Sequence, residues 1–240
     1  MDKSRVFRKL LETEQYAAEN QMKINYRKTK LVLFNPCRKF DFQPEFQIGG
    51  NVLEVVEEFK LLGLTIRSDL KWHSNTKNMI VKANKRLWVL RRLNNMGASQ
   101  EDLLTVYKSQ VRCILENAAP AWQGALTVAE KNDLERVQKS ACKIILSSGL
   151  LTYKEALKKL NLEYLEDRRN KLSLNFAIKA ERHPKFSNWF VPKKNTANTR
   201  STSLKYVPVK DNHASYEKSP LSFLTTLLNK HYAQTKTKKS

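Results

Sequence analysis

Phosphoryl and nucleotidyl transfer need paired carboxylates held around metal ions about 3.5 to 4 Å apart. The acidic pairs of this sequence fit other work. Glu57-Glu58 precede a β-prone run, Glu101-Asp102 fall in the first turn of an expected helix, and Glu166-Asp167 are followed at once by Arg168-Arg169. Each pair reads as a dipole or surface charge. His73, His183, His213 and His231 and Cys37, Cys113 and Cys142 show no C-x-x-C or H-x-x-x-H spacing, so neither a metal site nor a cofactor is expected. The patterns G-x-x-x-x-G-K-[ST], G-x-G-x-x-G and G-x-S-x-G are absent from a chain with only 6 Gly, which removes nucleotide-loop and hydrolase chemistry.

The residue types do offer polyanion binding. The 240 residues carry 44 Lys and Arg against 23 Asp and Glu, a net charge of +21. The excess lies past residue 60: residues 1–60 hold 11 basic and 9 acidic side chains, whereas 181–240 hold 12 and 3. Such a field draws polyanions, and nucleic acid is the commonest one inside a cell. Lys82, Lys85 and Arg92 share one flank of a helical pattern, with no acid between Lys71 and Gln100, and Arg136, Lys139 and Lys143 repeat the arrangement. These six are the candidate nucleic-acid contacts, and a solvated basic face is the plain alternative. Among the tryptophans, Trp122 follows Pro120 and reads as a core plug. Trp88 lies beside the basic flank and is the better candidate for base stacking, although packing is its expected role.

The elements that must position these side chains follow from periodicity. Val6, Leu10, Leu11 and Ala18 predict a helix over 3–20. Lys30–Phe34 is β-prone, Phe46–Val52 reads as a hairpin about Gly49-Gly50, and Phe59–Ile66 reads as one strand with Gly63 admitting a neighbouring backbone at its middle. From about residue 75 the pattern is helical. Ile80, Ala83, Leu87 and Leu90 line the first helix, and Gly97 stops it. Ser99 caps a second, whose stripe runs through Leu103, Tyr107, Val111, Ile114 and Ala118 until Pro120 ends it. Thr127-Val128-Ala129-Glu130 and Thr152-Tyr153-Lys154-Glu155 carry capping-box spacing, Gly149 closes the third helix, and a long helix ends before Pro184. Residues 192–218 lose periodicity and read as a mobile connection, and Ser219-Pro220 restarts a helix whose Phe223, Leu224, Leu227 and Leu228 must dock somewhere. No run approaches the ~20 apolar residues of a membrane span, and Met1–Arg5 lacks the apolar run of a signal peptide. The odd, scattered cysteines fit reduced thiols, so the expected location is intracellular, nuclear or cytoplasmic, with no secretion and no membrane partner.

Several segments, in order, carry a resemblance. Met22–Phe34 contains an N-x-x-K-T core (Asn25, Lys28, Thr29), and Phe59–Ile66 is followed by Asp69-Leu70-Lys71-Trp72. Then come Leu103–Lys108, Glu116-Asn117-Ala118-Ala119-Pro120-Ala121-Trp122, Leu134-Glu135-Arg136-Val137-Gln138, Arg168-Arg169, and Tyr216–Asn229. Together they resemble the distal palm, primer grip, thumb and C-terminal region of reverse transcriptases from non-long-terminal-repeat retrotransposons, the jockey and chicken-repeat type. The resemblance implies that Lys28 assists the leaving pyrophosphate as a proton donor and that Lys60, Leu62 and Gly63 hold the primer. The family's aromatic-Ala-Asp-Asp turn, fingers, first catalytic carboxylate and endonuclease domain have no counterpart here, so the Mg its enzymes need has no carboxylates to hold it. Asn117 stands where relatives often carry an aromatic residue, and His73 does not align with the family's usual His.

The expectation is therefore an α+β, predominantly helical chain with a small antiparallel sheet followed by a helical thumb bundle. Its regions are a distal palm remnant at 1–75, a thumb-like bundle at 76–182, and a basic, partly disordered tail with a short terminal helix at 183–240. As a C-terminal fragment of an RNA-directed DNA polymerase it would keep sequence-tolerant binding of RNA or DNA without polymerase activity. The alternatives are a helical interaction module taking a host or element-encoded protein through the 220–231 helix, the inert product of a decayed element, and a truncated gene model with an enzyme encoded upstream.

Overall fold

A computed structural model describes residues 3–34, 45–147, 151–193, 204–208 and 219–237. About 63% of the described residues are helix and 9% strand, a predominantly helical α+β fold. It divides into two compact units, Met1–Ser74 and Asn75–Ser240.

In the first unit, helix α1 (Lys3–Glu19) turns Val6 and Leu10 onto a small core of Phe46, Ile48 and Leu53, with Ile24 and Leu31 beside them. Buried Ala17, rather than Ala18, continues that line, and Leu11 is 63% exposed, so the inward stripe is narrower than the sequence predicts. Strand β1 (Lys30–Leu31) pairs in parallel with β4 (Glu54–Val55), while β2 (Gln47–Ile48) and β3 (Asn51–Val52) form an antiparallel hairpin. Gly49 and Gly50 at its turn have φ of 54° and 72°, the positive pair a two-residue hairpin loop needs. Phe59–Ile66 is not one strand. It folds back as β5 (Glu58–Leu61) and β6 (Leu64–Arg67), with Phe59 opposite Ile66 and Lys60 opposite Thr65. Leu62 and Gly63 make the turn with φ of 47° and 88°. The nearly unbroken apolar run hid the turn, because Leu62 is an unusual residue to hold positive φ.

The second unit is helical. Helix α2 (His73–Asn95) buries Met79, Ala83, Leu87 and Leu90 and ends where Gly97 (φ 83°) lets the Ala98 N–H reach Leu93 O at 3.1 Å, a Schellman closure. Ser99 caps α3 (Gln100–Val106) by accepting from Asp102 N. The chain then takes a π-helical turn over Tyr107–Arg112 before α4 (Cys113–Glu116). That wide turn shifts the inward phase, so Leu115 takes the core place the sequence assigns to Ile114. Pro120 ends nothing. The break falls at Asn117-Ala118, where Ala118 has φ 50°, and Pro120 sits in the first turn of α5 (Ala119–Trp122), where proline is favoured. A short 3-10 turn (Gln123–Ala125) leads to α6 (Val128–Leu146). Both capping boxes form, Thr127 with Glu130 on α6 and Thr152 with Glu155 on α7 (Tyr153–Lys159). Ser147, at φ 48°, ends α6, and the expected stop at Gly149 lies outside the described residues.

Helix α8 (Leu165–Arg182) carries the C-terminal elements. The last helix, α9 (Pro220–Thr237), has 18 residues and is not short. Its Leu224 and Leu228 are buried with Ala177, Ala180, Phe190 and Tyr206, so the apolar face expected to take a partner protein is covered by the chain itself. The described residues from 183 onward therefore pack with the helical unit. Pro192 bridges Tyr206, and Asn229 clasps the Tyr206 backbone by accepting from its N–H at 2.9 Å and donating to its carbonyl at 3.0 Å. Residues 194–203 and 209–218 of the expected mobile connection lie outside the described residues.

Polar groups lock this unit from within. Tyr107 OH donates to Gln138, Gln138 Nε2 donates to Glu163 O at 2.9 Å, and Tyr153 OH donates to Glu135. Glu135 also accepts from Leu165 N at 3.1 Å, so one carboxylate caps α8. Arg169, fully buried over Trp122, donates Nε to Gln123 at 2.6 Å, and burial holds its guanidinium below the usual range.

Candidate nucleic-acid interface

Helix α2 has no carboxylate in 23 residues. With Met79, Ala83, Leu87 and Leu90 inward, 3.6-residue periodicity sets Lys77, Val81, Lys82, Lys85, Trp88, Arg91 and Arg92 on the outward side, and all seven are exposed. From Lys77 to Arg92 the face runs about 22 Å at 1.5 Å per residue. Trp88 is 58% exposed, with the Arg92 guanidinium 5.4 Å from its ring, so it does not pack in the core as the sequence predicts. None of Lys77, Lys82, Lys85, Arg86, Arg91 or Arg92 is ion-paired to a described residue.

Helix α6 treats its cations differently. Arg136 is paired with Asp133 at 2.6 Å and Lys131 with Glu166 at 2.7 Å. Lys139 lies 6.0 Å from the Tyr153 ring, and Lys143 is exposed one turn further on. Of the three residues expected to act together, Arg136 thus carries an exposed surface pairing with Asp133, while Lys139 and Lys143 have no ion pair with a described residue. The two helices meet at their C-terminal ends, where Asn94 Nδ2 donates to Ser147 Oγ at 3.2 Å. Arg91 and Lys143 each sit one turn before those contacting residues. The sequence reading missed Lys77 and Arg91 as members of this face. The acid-free window from Lys71 to Gln100 was the signal that could have found them.

The residues assigned by resemblance lie in the first unit. Asn25 organises the N-x-x-K-T turn: its Oδ1 accepts from Lys28 N at 3.1 Å, and its carbonyl accepts from Thr29 Oγ1 at 3.0 Å. Lys28 is left exposed. Tyr26 covers the Gly-Gly hairpin so closely that a Cβ on Gly49 would lie 2.4 Å from its hydroxyl. Lys60, Leu62 and Gly63 gather at one hairpin end, with Leu62 93% exposed at its tip. Comparison with protein-family models, with curated proteins and with solved structures finds no match to this chain.

The remaining candidate groups are quiet. Burial, followed by the Glu135 carboxylate, pushes the Cys142 thiol up to about 11, the condition of an inert packed cysteine. Among the described residues no three His, Cys, Asp or Glu side chains gather into a metal-ligating group, and no helix is long and apolar enough to cross a membrane.

Proposed function

We propose that this chain binds RNA or DNA with little sequence preference through the outward face of α2, extended by Lys139 and Lys143 of α6. The observation that carries the reading is the combination on one acid-free helix of an exposed Trp88 with Lys77, Lys82, Lys85, Arg91 and Arg92, none of them ion-paired to a described residue. A face meant only for solvation interleaves both signs, because like charges three or four residues apart, as at Lys82, Lys85 and Arg86, destabilise a helix. The same unit balances its charge on α6. An exposed tryptophan between cations supplies the stacking surface and phosphate contacts that sequence-tolerant binding combines.

The wider reading is that the chain is the distal palm, thumb and tail of a non-long-terminal-repeat reverse transcriptase, acting inside the cell on a template-primer or RNA. It is supported by the way the quoted motifs meet: Arg168 is hydrogen-bonded to Glu116, and Arg169 lies over Trp122. The test is fluorescence anisotropy on an RNA–DNA hybrid, with Lys82→Ala, Lys85→Ala and Arg92→Ala combined. Each phosphate contact contributes about 0.9 to the slope of log K against log salt, so losing three lowers it by up to about 2.7. The gap between wild type and variant then narrows up to about 40-fold from 50 to 200 mM salt. An unchanged slope and affinity refute the reading.

A further inference from the structure

We propose a second anion site, separate from the α2 face: the cavity lined by Lys108, Arg112, Asn161, Leu162, Glu163 and Arg168 takes a phosphate group. The cavity measures about 350 Å³. That is near the lower end for small-ligand sites, room for a phosphate with part of a sugar and far too little for a duplex. Leu162 is its one apolar side chain and no aromatic ring lines it, so it offers nothing for a base to stack on. What it presents is cations.

The charges on its wall favour an anion. Arg112 and Arg168 share one carboxylate: Arg168 Nε is hydrogen-bonded to Glu116, while Arg112 Nε stands 3.6 Å from the same oxygen. That distance is beyond hydrogen-bond reach, and Arg112 Nε is buried with no acceptor among the described residues. Lys108 is exposed and has no ion pair with a described residue. Glu163, the acid on the cavity wall, is bound by Lys171. Lys108, Arg112, Arg168 and Lys171 thus face two carboxylates, Glu116 and Glu163, the latter also drawn to both guanidiniums, which leaves the wall with a surplus of positive charge.

The backbone is shaped to bring them together. Lys108 and Arg112 both lie in the π-helical turn Tyr107–Arg112, a rare conformation that occurs mostly as single turns inside α-helices and is frequent at functional sites. Across from it, Asn161 at φ 48° turns the chain between α7 and α8. Guanidinium forks match phosphate oxygens in geometry, and a lysine adds a mobile point charge. The phosphate can belong to a free small molecule or to the end of a nucleic-acid strand.

The test is calorimetric titration of the full chain with inorganic phosphate, beside anisotropy with one oligonucleotide carrying either a 5′-phosphate or a 5′-hydroxyl. Phosphate should bind at one site, Lys108→Ala should weaken it about 10-fold, and Lys108→Glu should abolish it. Both substitutions fall on an exposed side chain, and the combined α2 variant should leave phosphate binding unchanged. A preference for the 5′-phosphorylated strand that Lys108→Ala removes identifies a strand end as the source. Equal binding of the two strands with retained binding of free phosphate identifies a small molecule. No saturable phosphate binding by the wild type, or binding that both Lys108 variants leave intact, overturns the proposal.

Discussion

Replacing Gly124 with alanine should loosen the last helix. A Cβ built there would lie 2.4 Å from Phe223 Cβ and 2.5 Å from its Cγ. Carbon atoms rest at about 3.5 to 4.0 Å, so one side must retreat by about 1 Å or more. Phe223 Cβ is fixed to the backbone of α9, and no rotamer change moves it. Either α9 shifts and the overpacking costs about 1 to 3 kcal/mol, or it detaches and gives up Leu224 and Leu228, at about 1.5 to 3 kcal/mol for each buried side chain. Urea unfolding of Gly124→Ala should show the loss, and hydrogen exchange should show faster amides over 221–232. In a Phe223→Gly background, where the opposing atoms are gone, Gly124→Ala should cost no more than about 0.5 kcal/mol, the scale of a substitution with no packing conflict. A Gly124→Ala protein as stable as wild type, with α9 amides unchanged, would refute the claim that this helix is clamped against the bundle.

Trp88→Ala should weaken binding of single-stranded RNA by about 1 to 3 kcal/mol per stacked base while leaving the salt slope unchanged; a changed slope would mean that the ring acts by orienting Arg92. Burial raises the Glu181 carboxyl, but hydrogen bonds from Lys205, Tyr206 and Tyr232 outweigh it and hold the group below 4.5. A depressed carboxylate stabilises above its unfolded value and loses that contribution as pH falls through the folded one. Near-ultraviolet dichroism of Tyr206 and Tyr232 should therefore collapse below about pH 4.5 in the wild type, and Glu181→Gln should remove that pH dependence. The purified chain should not extend a primer with Mg, since its sequence has no aromatic-Ala-Asp-Asp turn to clamp the ions; metal-dependent nucleotide incorporation would contradict this.

Where a local interaction decides the structure, the sequence was readable. Thr127 with Glu130, Thr152 with Glu155, and Ser99 with Asp102 are pairs three residues apart whose bonds form as their spacing implies. The Gly49-Gly50 hairpin is equally local. Where a non-standard backbone decides, the reading slipped. Leu62 at positive φ turned one expected strand into two, and the π turn at 107–112 advanced the stripe from Ile114 to Leu115, because periodicity counts 3.6 residues to the turn. Long-range docking was also illegible. Nothing near Pro220 says that Leu224 and Leu228 meet Ala177 and Ala180, or that Asn229 clasps Tyr206. The site was half legible for the same reason. The cations of α2 follow from its spacing, but the exposure of Trp88 depends on which face the rest of the bundle covers.

The buried motif residues and the exposed residues of the α2 face do different jobs. Glu116 joins Arg168, Trp122 lies under Arg169 and donates to Asn117 O at 2.9 Å, and Glu135 with Gln138 ties Tyr107, Tyr153 and the start of α8 into one network. These groups are buried or half-buried, and removing one partner leaves the other unpaired inside the bundle, a cost of about 1 to 3 kcal/mol or more for charged groups. Their substitution would destabilise the scaffold and lower any activity through the fold rather than through the site. Lys82, Lys85, Trp88 and Arg92 are exposed and make no contact that the fold needs. Loss of binding on their substitution, with thermal stability unchanged, therefore reports on the interface alone. The buried motif residues are therefore poor places to test what the chain does, and the exposed α2 face is the informative one.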